Sequence, residues 1–267
     1  GAANRVEVYS CQSCIDGTTT NFPRFNSVRK LLQTRKGRCG EYANLMGLFC
    51  RAAGFETRYV LDFTDHVWVE VLIADDWIMA DGCEGLIHKN SMYEHGWAKS
   101  LSYIIAATKD NITDVTPRYT RKFHSQQFQQ RRRNISSTEL KTQHIITKLR
   151  NKLQQGLPKN RIQELERINK LEQNLLNKWK SSDQWTQDEQ HGKGRISGSL
   201  QWKISRQEQG NDHKQQRHDN QSFVRTFHVQ QFHPKATKLT IAVTTNTITI
   251  SNANCDLGGT IMIVVID

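Results

Sequence analysis

The amino-acid sequence predicts an α+β fold, and three features support that prediction. A helix is expected to begin near Cys39, because apolar residues follow it at spacings of three and four. The segment HVWVEVLI (66–73) alternates with a period of two, as a β-strand does. The segment from about 124 to 182 again shows helical periodicity. A cysteine-bearing helix packed on an antiparallel sheet, followed by further helices, is therefore expected.

The N-terminal part of the sequence predicts one strand and one helix. RVEVY (5–9) is expected to form a strand, and the cysteine pair CQSC (11–14) and a loop follow it. The helix near Cys39 is expected to end at Gly54, since glycine favours the left-handed conformation past a helix end. Its apolar face consists of Tyr42, Leu45, Met46, Phe49, Ala52 and Ala53.

Two further strands are expected to form a hairpin. If Ala74 and Asp75 form a two-residue turn, position 68 faces position 81, and His66 and Asp81 become diagonal neighbours about 7–8 Å apart. A register shift of one residue would place the two side chains on opposite faces. The strand at 66–73 has a valine face, and the side chains on its other face are His66, Trp68 and Glu70. Trp77, Met79 and Asp81 share a face of the next strand.

The rest of the chain is expected to add a strand, helices and a terminal β region. The segment of about 93–108 predicts an amphipathic stretch and a strand. The segment 183–222 is polar and predicts a loop. The segments 236–252 and 260–267 predict strands. The apolar stripe of the 124–182 region consists of Ile162, Leu165, Ile168, Leu171 and Leu175.

Composition and charge narrow the class of protein. The chain has 267 residues, 36% of them hydrophobic, and a net charge of +11. The basic run 121–133 suits a solvated helical face, RNA or anionic lipid. It shows no RNA-binding signature of stacked aromatic residues among the basic ones, so nucleic acid is not the expected partner. No apolar run approaches the roughly 20 residues that span a bilayer.

Six cysteines are too sparse for a disulfide scaffold in a chain of this length. Neither an initial Met nor a signal segment is present, so the chain is expected to be a fragment of a cytoplasmic protein.

Cys39 has three possible roles, which are nucleophile, metal ligand and buried thiol. At a helix start, the helix dipole and unsatisfied N–H groups favour the thiolate, and the same N–H groups can stabilise an oxyanion. A nucleophilic cysteine also needs a base and a group that orients the base, for which His66 and Asp81 are the candidates. Cys50, on the buried side of the helix, is the better candidate for an inert thiol.

Four segments carry a resemblance to a known family. GRCGEYANLMGLFCRAAGFETRYVLDFTDHVWVEV (37–71) and ADGCEG (80–85), with GWAKSLSYIIAATKDNITDVTPRYT (96–120), resemble the catalytic core of cytoplasmic peptide:N-glycanases, in the transglutaminase-like superfamily. GRISGSLQWKISRQE (194–208) resembles the entry to that family's C-terminal β-sandwich. The resemblance covers roughly residues 1–210.

The resemblance implies a transglutaminase-like, papain-like cysteine-hydrolase core and a role for each matched residue. Cys39 would be the nucleophile, His66 the general base and acid, and Asp81 the residue that orients His66. The implied reaction removes N-glycans from misfolded glycoproteins by hydrolysing the asparagine side-chain amide to aspartate, in ER-associated degradation. Trp68, Trp77 and Tyr42 would line the substrate cleft.

The resemblance also implies a structural zinc ion. Cys11 and Cys14 would supply half of a tetrahedral four-cysteine site, with the other two cysteines expected upstream. A proteasome-shuttle protein is an expected partner. The implied domains are a catalytic core with half a zinc knuckle (1–122), a helical extension (123–190) and the incomplete start of a glycan-binding-like β domain (191–267).

Two departures from the family pattern keep alternatives open. Tyr42 stands where the family has tryptophan, and Gly82 where it has proline. A weakly active or inactive scaffold that binds misfolded glycoproteins is one alternative. A papain-like protease or a protein-crosslinking transglutaminase with the same triad is another.

Overall fold

The computed structural model describes residue 3 and residues 5–10, 19–136 and 138–187, together with the backbone of four C-terminal strands. Contacts divide the chain into two compact units. One comprises Gly1–Gly54 and His218–Asp267 and is called the Cys39 unit; the other, Phe55–Arg217, is called the His66 unit. The predicted domain bounds at 122 and 190 stay a prediction.

The helices and strands include the predicted ones in their predicted order and others that were not predicted, such as the strand Thr19–Arg24 within the expected loop before Cys39. In chain order they are β1 (Arg5–Ser10), β2 (Thr19–Arg24), α1 (Val28–Thr34), α2 (Cys39–Ala52), β3 (Thr57–Asp62), β4 (His66–Ile73), β5 (Asp76–Asp81), β6 (Leu86–Ile87), β7 (Ile104–Ala107), β8 (Ile112–Asp114), α3 (Thr116–Tyr119), α4 (Gln126–Ile135), α5 (Glu139–Leu153), α6 (Lys159–Lys180), β9 (Phe223–Phe227), β10 (Leu239–Thr244), β11 (Thr247–Asn252) and β12 (Ile261–Ile263).

The Cys39 unit contains an antiparallel hairpin of β1 and β2, helices α1 and α2, and the C-terminal strands. The predicted strand near residue 5 and the predicted helix that begins at Cys39 are both confirmed. Helix α2 ends as predicted, with Gly54 at φ +86°. Its buried face was predicted only in part, because Leu45 and Met46 are buried whereas Ala52 is exposed.

The C-terminal strands of this unit form one antiparallel sheet in the order β12-β11-β10-β9. The strands predicted within 236–252 and 260–267 are confirmed as β10, β11 and β12.

A six-stranded antiparallel sheet in the order β6-β5-β4-β3-β7-β8 forms the centre of the His66 unit. The β4–β5 hairpin turns at Ala74 and Asp75, whose φ angles of 49° and 67° match the left-handed conformation of a two-residue hairpin turn. Val69 pairs with Ala80 and Ile73 with Asp76. The predicted turn and register are therefore confirmed.

The core of the His66 unit lies against the His–Trp–Glu face of β4. Val67, Val69 and Val71 on the other face are buried as well, so β4 has two buried faces rather than one. A hydrophobic core cluster of buried residues consists of Val60, Trp68, Met79, Met92, Tyr93, Trp97, Leu101, Ile104, Ala106, Val115, Tyr119, Phe123 and Phe128.

The predicted helical region is confirmed, but as the three helices α4, α5 and α6. Ser125 and Thr138 cap the starts of α4 and α5 through their side chains. Gly156, at φ +78°, and Pro158 separate α5 from α6. No helix among the residues that the structure describes is both long and apolar enough to cross a bilayer.

The predicted apolar stripe of α6 is wrong at two positions. Leu171 is 37% exposed, and Leu176 is buried where Leu175 was expected to be. Glu172 takes a buried position on this face, with its carboxylate against Arg58 and Arg118.

The basic run is not solely a solvated face. Arg132 is 1% exposed and its Nη2 donates to Asp114 Oδ2 at 2.6 Å, so this charge is neutralised inside the fold.

Candidate active site

The His66 unit brings His66 and Asp81 together as the sequence predicts. Their side chains extend from neighbouring strands β4 and β5, and His66 Nε2 lies 2.7 Å from Asp81 Oδ2. Both residues are buried, with 1% and 0% exposure. A neutral His66 that donates from Nε2 keeps its basic lone pair on Nδ1. The pair therefore supplies an oriented base.

The Asp81 carboxylate is held by four donors. Oδ2 also accepts the Tyr93 hydroxyl at 2.9 Å, and Oδ1 accepts the backbone N–H groups of Cys83 at 2.9 Å and Glu84 at 3.2 Å. Burial opposes ionisation, but the charge of His66 and the hydrogen bonds from His66, Tyr93 and the Glu84 N–H outweigh it and lower the pKa of Asp81. Asp81 is thus an ionised carboxylate with a fixed orientation.

Aromatic side chains surround the His66 ring. The rings of Trp97, Tyr93 and Trp68 lie 5.0, 5.4 and 5.8 Å from it, centroid to centroid. Burial and the charge of Asp81 raise the pKa of Tyr93 well above its ordinary value, so its hydroxyl remains a donor. These contacts leave the imidazole few orientations.

Trp68 joins this aromatic group to a buried charge cluster. Its indole Nε1 donates to the Tyr119 hydroxyl at 2.9 Å, and Tyr119 donates to Glu70 Oε1. Arg58, directly opposite Glu70 on β3, donates to Glu70 Oε2 and through two nitrogens to Glu172. Helix α6 is therefore fixed to the strand that carries His66.

Arg118 completes the cluster from α3. Its guanidinium donates to Glu172 Oε1 at 3.2 Å and to Asp76 Oδ1 at 3.0 Å. Two arginines are thus compensated by three carboxylates within a largely buried volume. Breaking one partner of such a group leaves an uncompensated buried charge.

Both tryptophans predicted to contact the substrate, Trp68 and Trp77, are buried. Trp68 has 0% exposure and stacks on Tyr93 at 4.3 Å between centroids. Trp77 is also buried, and the Arg58 guanidinium lies 4.1 Å from its ring centroid. Each therefore has a structural role, and substrate contact by these residues stays a prediction.

Cys39 occupies the first turn of α2 in the Cys39 unit. Arg38 before it is extended (φ −113°, ψ −173°), so the helix begins at the cysteine itself. The thiol is half-buried. Its position gives it the helix dipole and the N–H groups of the first turn, which favour a thiolate.

Cys50 and Tyr42 also lie on α2. Burial raises the pKa of the Cys50 thiol to about 12, in agreement with its interpretation as an inert cysteine. Tyr42, half-buried, donates its hydroxyl to the Arg35 carbonyl at 3.1 Å. The Tyr42 hydroxyl thus bonds to the α1–α2 connection.

Cys11 and Cys14 lie outside the described residues, within the connection 11–18 between β1 and β2. Among the described residues, no group of three or more His, Cys, Asp or Glu side chains forms a metal-binding cluster. Zinc binding by Cys11 and Cys14 stays a prediction.

Comparison with protein families agrees with this geometry. Residues 1–82 match the model of the transglutaminase-like superfamily, and residues 63–177 match that of the Rad4 transglutaminase-like domain. The chain is similar to transglutaminase-like proteins over these two stretches. The α+β transglutaminase-like fold predicted from the sequence is confirmed.

Several curated relatives of this chain share one name, peptide-N(4)-(N-acetyl-beta-glucosaminyl)asparagine amidase. The Arabidopsis thaliana protein is 40% identical over 79% of this chain, and those of Gallus gallus and Homo sapiens are 42% and 40% identical over 80%. The predicted resemblance to peptide:N-glycanases is confirmed. The chain spans 28%, 32% and 31% of the length of these three relatives.

The contacts of several residues around His66 were not predicted from the sequence. Tyr93 and Trp97 recur at a spacing of four, which indicated a buried face but not a contact with His66. Glu70 shares the predicted strand face of His66, but its partner Arg58 lies on another strand, and Glu172 is 114 residues from Arg58. Only tertiary structure joins these charges.

Proposed function

We propose that this chain carries the catalytic core of a peptide:N-glycanase. It would hydrolyse the amide that joins an N-linked glycan to asparagine in misfolded glycoproteins and convert the asparagine to aspartate. The observation that carries the proposal is the buried His66–Asp81 hydrogen bond of 2.7 Å. Relatives at about 40% identity bearing the amidase name support the choice of substrate.

Each catalytic residue has a proposed role. The Cys39 thiolate attacks the side-chain amide carbon, and the tetrahedral oxyanion that forms is stabilised by N–H donors. Nε2 of His66 is engaged by Asp81, so Nδ1 is the nitrogen that takes up and returns protons. Asp81 stabilises the imidazolium and fixes its orientation.

The reaction then proceeds in two balanced stages. In the first, the carbon–nitrogen bond breaks, His66 protonates the departing glycosylamine, and a thioester to Cys39 remains. In the second, His66 accepts a proton from water, the resulting hydroxide attacks the thioester, and the thiolate leaves. The products are aspartate in the protein and a glycosylamine, which hydrolyses to glycan and ammonia.

The remaining proposals concern cofactor, partners and compartment. Zinc, when bound, would be a structural ion held by Cys11 and Cys14, since thiolates suit Zn²⁺ and the β1–β2 hairpin brings both ends of their connection together. Two donors are half of a tetrahedral set, so two more thiolates would come from elsewhere. We also propose a cytoplasmic location, where cysteines stay reduced, and a proteasome-shuttle protein as partner.

The test is glycan release from a denatured high-mannose glycoprotein by the protein and by Cys39→Ala. We expect release and asparagine-to-aspartate conversion by the first and neither by the second. Amine incorporation into glutamine peptides would identify a transglutaminase, and glycoprotein binding without release a scaffold. Either result would contradict the proposal.

A further inference from the structure

The helix that begins at Cys39 contains an apparent electrostatic conflict. Glu41, in the first turn, accepts the Arg38 N–H through Oε2 at 2.8 Å and so caps the helix start. Its carboxylate contacts the residue directly before Cys39, and a separation of two residues keeps the Cα atoms of Cys39 and Glu41 within about 7 Å. A negative charge there stabilises the helix but disfavours a thiolate.

Arg24 removes this conflict. From the end of β2, its Nε donates to Glu41 Oε1 at 2.8 Å and its Nη2 to Oε2 at 2.7 Å, a bidentate pairing that covers both oxygens. Its remaining nitrogen, Nη1, donates to Glu7 Oε1 at 2.8 Å. The side chains of Arg24 and Glu41 are only 19% and 7% exposed, so water screens this pair weakly.

Glu7 on β1 occupies the other side of Arg24. It is shared with Arg38, whose Nε lies 3.0 Å from Glu7 Oε2, and the exposed Arg5 guanidinium lies 3.9 Å from Glu7 Oε1. Glu7 therefore has other cationic partners besides Arg24. Loss of Arg24 removes the guanidinium that covers both oxygens of Glu41 and leaves that negative charge beside the cysteine.

We propose that Arg24 is a positioning residue for Cys39, which neutralises the capping carboxylate of Glu41 so that the helix start is both capped and compatible with a thiolate. The inference rests on the proposed role of Cys39 as nucleophile. It assigns a function to a residue of the hairpin that precedes the catalytic helix. The proposed effect of Arg24 on Cys39 comes from its positive charge rather than from the packing of its side chain, and substitutions can separate these two contributions.

The test measures alkylation of Cys39 by iodoacetamide at neutral pH, followed by tryptic digestion and mass spectrometry. Cleavage after Arg38 and Arg51 yields one peptide with Cys39 and the buried Cys50, which serves as an internal reference. No glycoprotein is needed, so the measurement is independent of the proposed amidase activity. Circular dichroism establishes that each variant is folded.

Four variants separate charge from packing. We expect Arg24→Gln to slow Cys39 alkylation by about three- to tenfold, because an unneutralised charge lowers the thiolate fraction. Arg24→Lys, which keeps the charge, should stay near wild type. Glu41→Gln should not slow the reaction, and Arg24→Gln/Glu41→Gln should recover the wild-type rate within about twofold. Arg29→Gln, at an exposed arginine of α1, is the matched control and should change nothing.

The opposite pattern would overturn the proposal. If Arg24 acted only as a clamp, Glu41→Gln would slow alkylation as much as Arg24→Gln, Arg24→Lys would slow it too, and the double variant would show no recovery. An Arg24→Gln protein that is folded and alkylated at the wild-type rate would also refute it.

Discussion

His66 Nε2 lies 2.7 Å from Asp81 Oδ2, and the register of the β4–β5 hairpin brings these two residues together. The left-handed residues Ala74 and Asp75 close a two-residue turn, which fixes the register and places both side chains on one face. The distance is therefore a property of the local fold. It gives the site an oriented histidine.

Asp81→Asn should lower the rate of glycan release by about 10³- to 10⁴-fold, because the introduced amide favours the wrong histidine tautomer and carries no charge to stabilise the imidazolium. Tyr93→Phe removes one of the four donors to the same carboxylate and should cost less than about tenfold. Steady-state release from a denatured glycoprotein is the measurement. Asp65→Asn, at an exposed residue beside His66, is the control. Equal losses in the Asp81 and Asp65 variants would contradict the assignment.

Glu172→Gln should lower the free energy of unfolding by about 3–5 kcal/mol, since it removes a buried charge that Arg58 and Arg118 share. Glu166→Gln changes an exposed residue of the same helix and should shift it by no more than about 0.5 kcal/mol. Urea denaturation followed by circular dichroism measures both. If the two variants proved equally stable, the buried cluster would not be what holds α6 to the sheet.

Acid should weaken the Cys39 unit through Glu7. Hydrogen bonds from Arg38 and Tyr9 lower the pKa of Glu7 from 4.5 to about 2. A lowered folded-state pKa gives stability that is complete above the unfolded-state pKa and is lost as pH falls towards the folded-state value. Between about pH 6 and about pH 3.5, the wild-type protein should therefore lose more unfolding free energy than Glu7→Gln. Parallel losses in urea titrations at the two pH values would refute this.

Cys11→Ser and Cys14→Ser should each weaken zinc binding in competition with a chromophoric chelator, because each removes a thiolate donor. Cys83→Ser, at a half-buried cysteine of the His66 unit, should leave the affinity unchanged. Identical affinities for all three variants would remove Cys11 and Cys14 from the proposed zinc site.

Local sequence patterns predicted the β4–β5 hairpin, the start of α2 and its end at Gly54. Each of these features depends on residues that are close together in the sequence. The same patterns misplaced the buried face of α6, since a charged residue such as Glu172 is expected to be exposed unless its partners are known. Arg58 and Arg118 are brought to Glu172 by separate elements. The donors to Asp81 and the proposed role of Arg24 could not be predicted either, because they too depend on contacts between separate elements.

The most direct test of the central claim is to carry out the reaction in water enriched in oxygen-18. We expect glycan release to leave aspartate with one oxygen-18 atom at the former glycosylation site, because water resolves a thioester to Cys39. Cys39→Ala should give no labelled aspartate while retaining a folded His66–Asp81 pair. Labelled aspartate formed at the wild-type rate by Cys39→Ala would contradict Cys39 as the nucleophile.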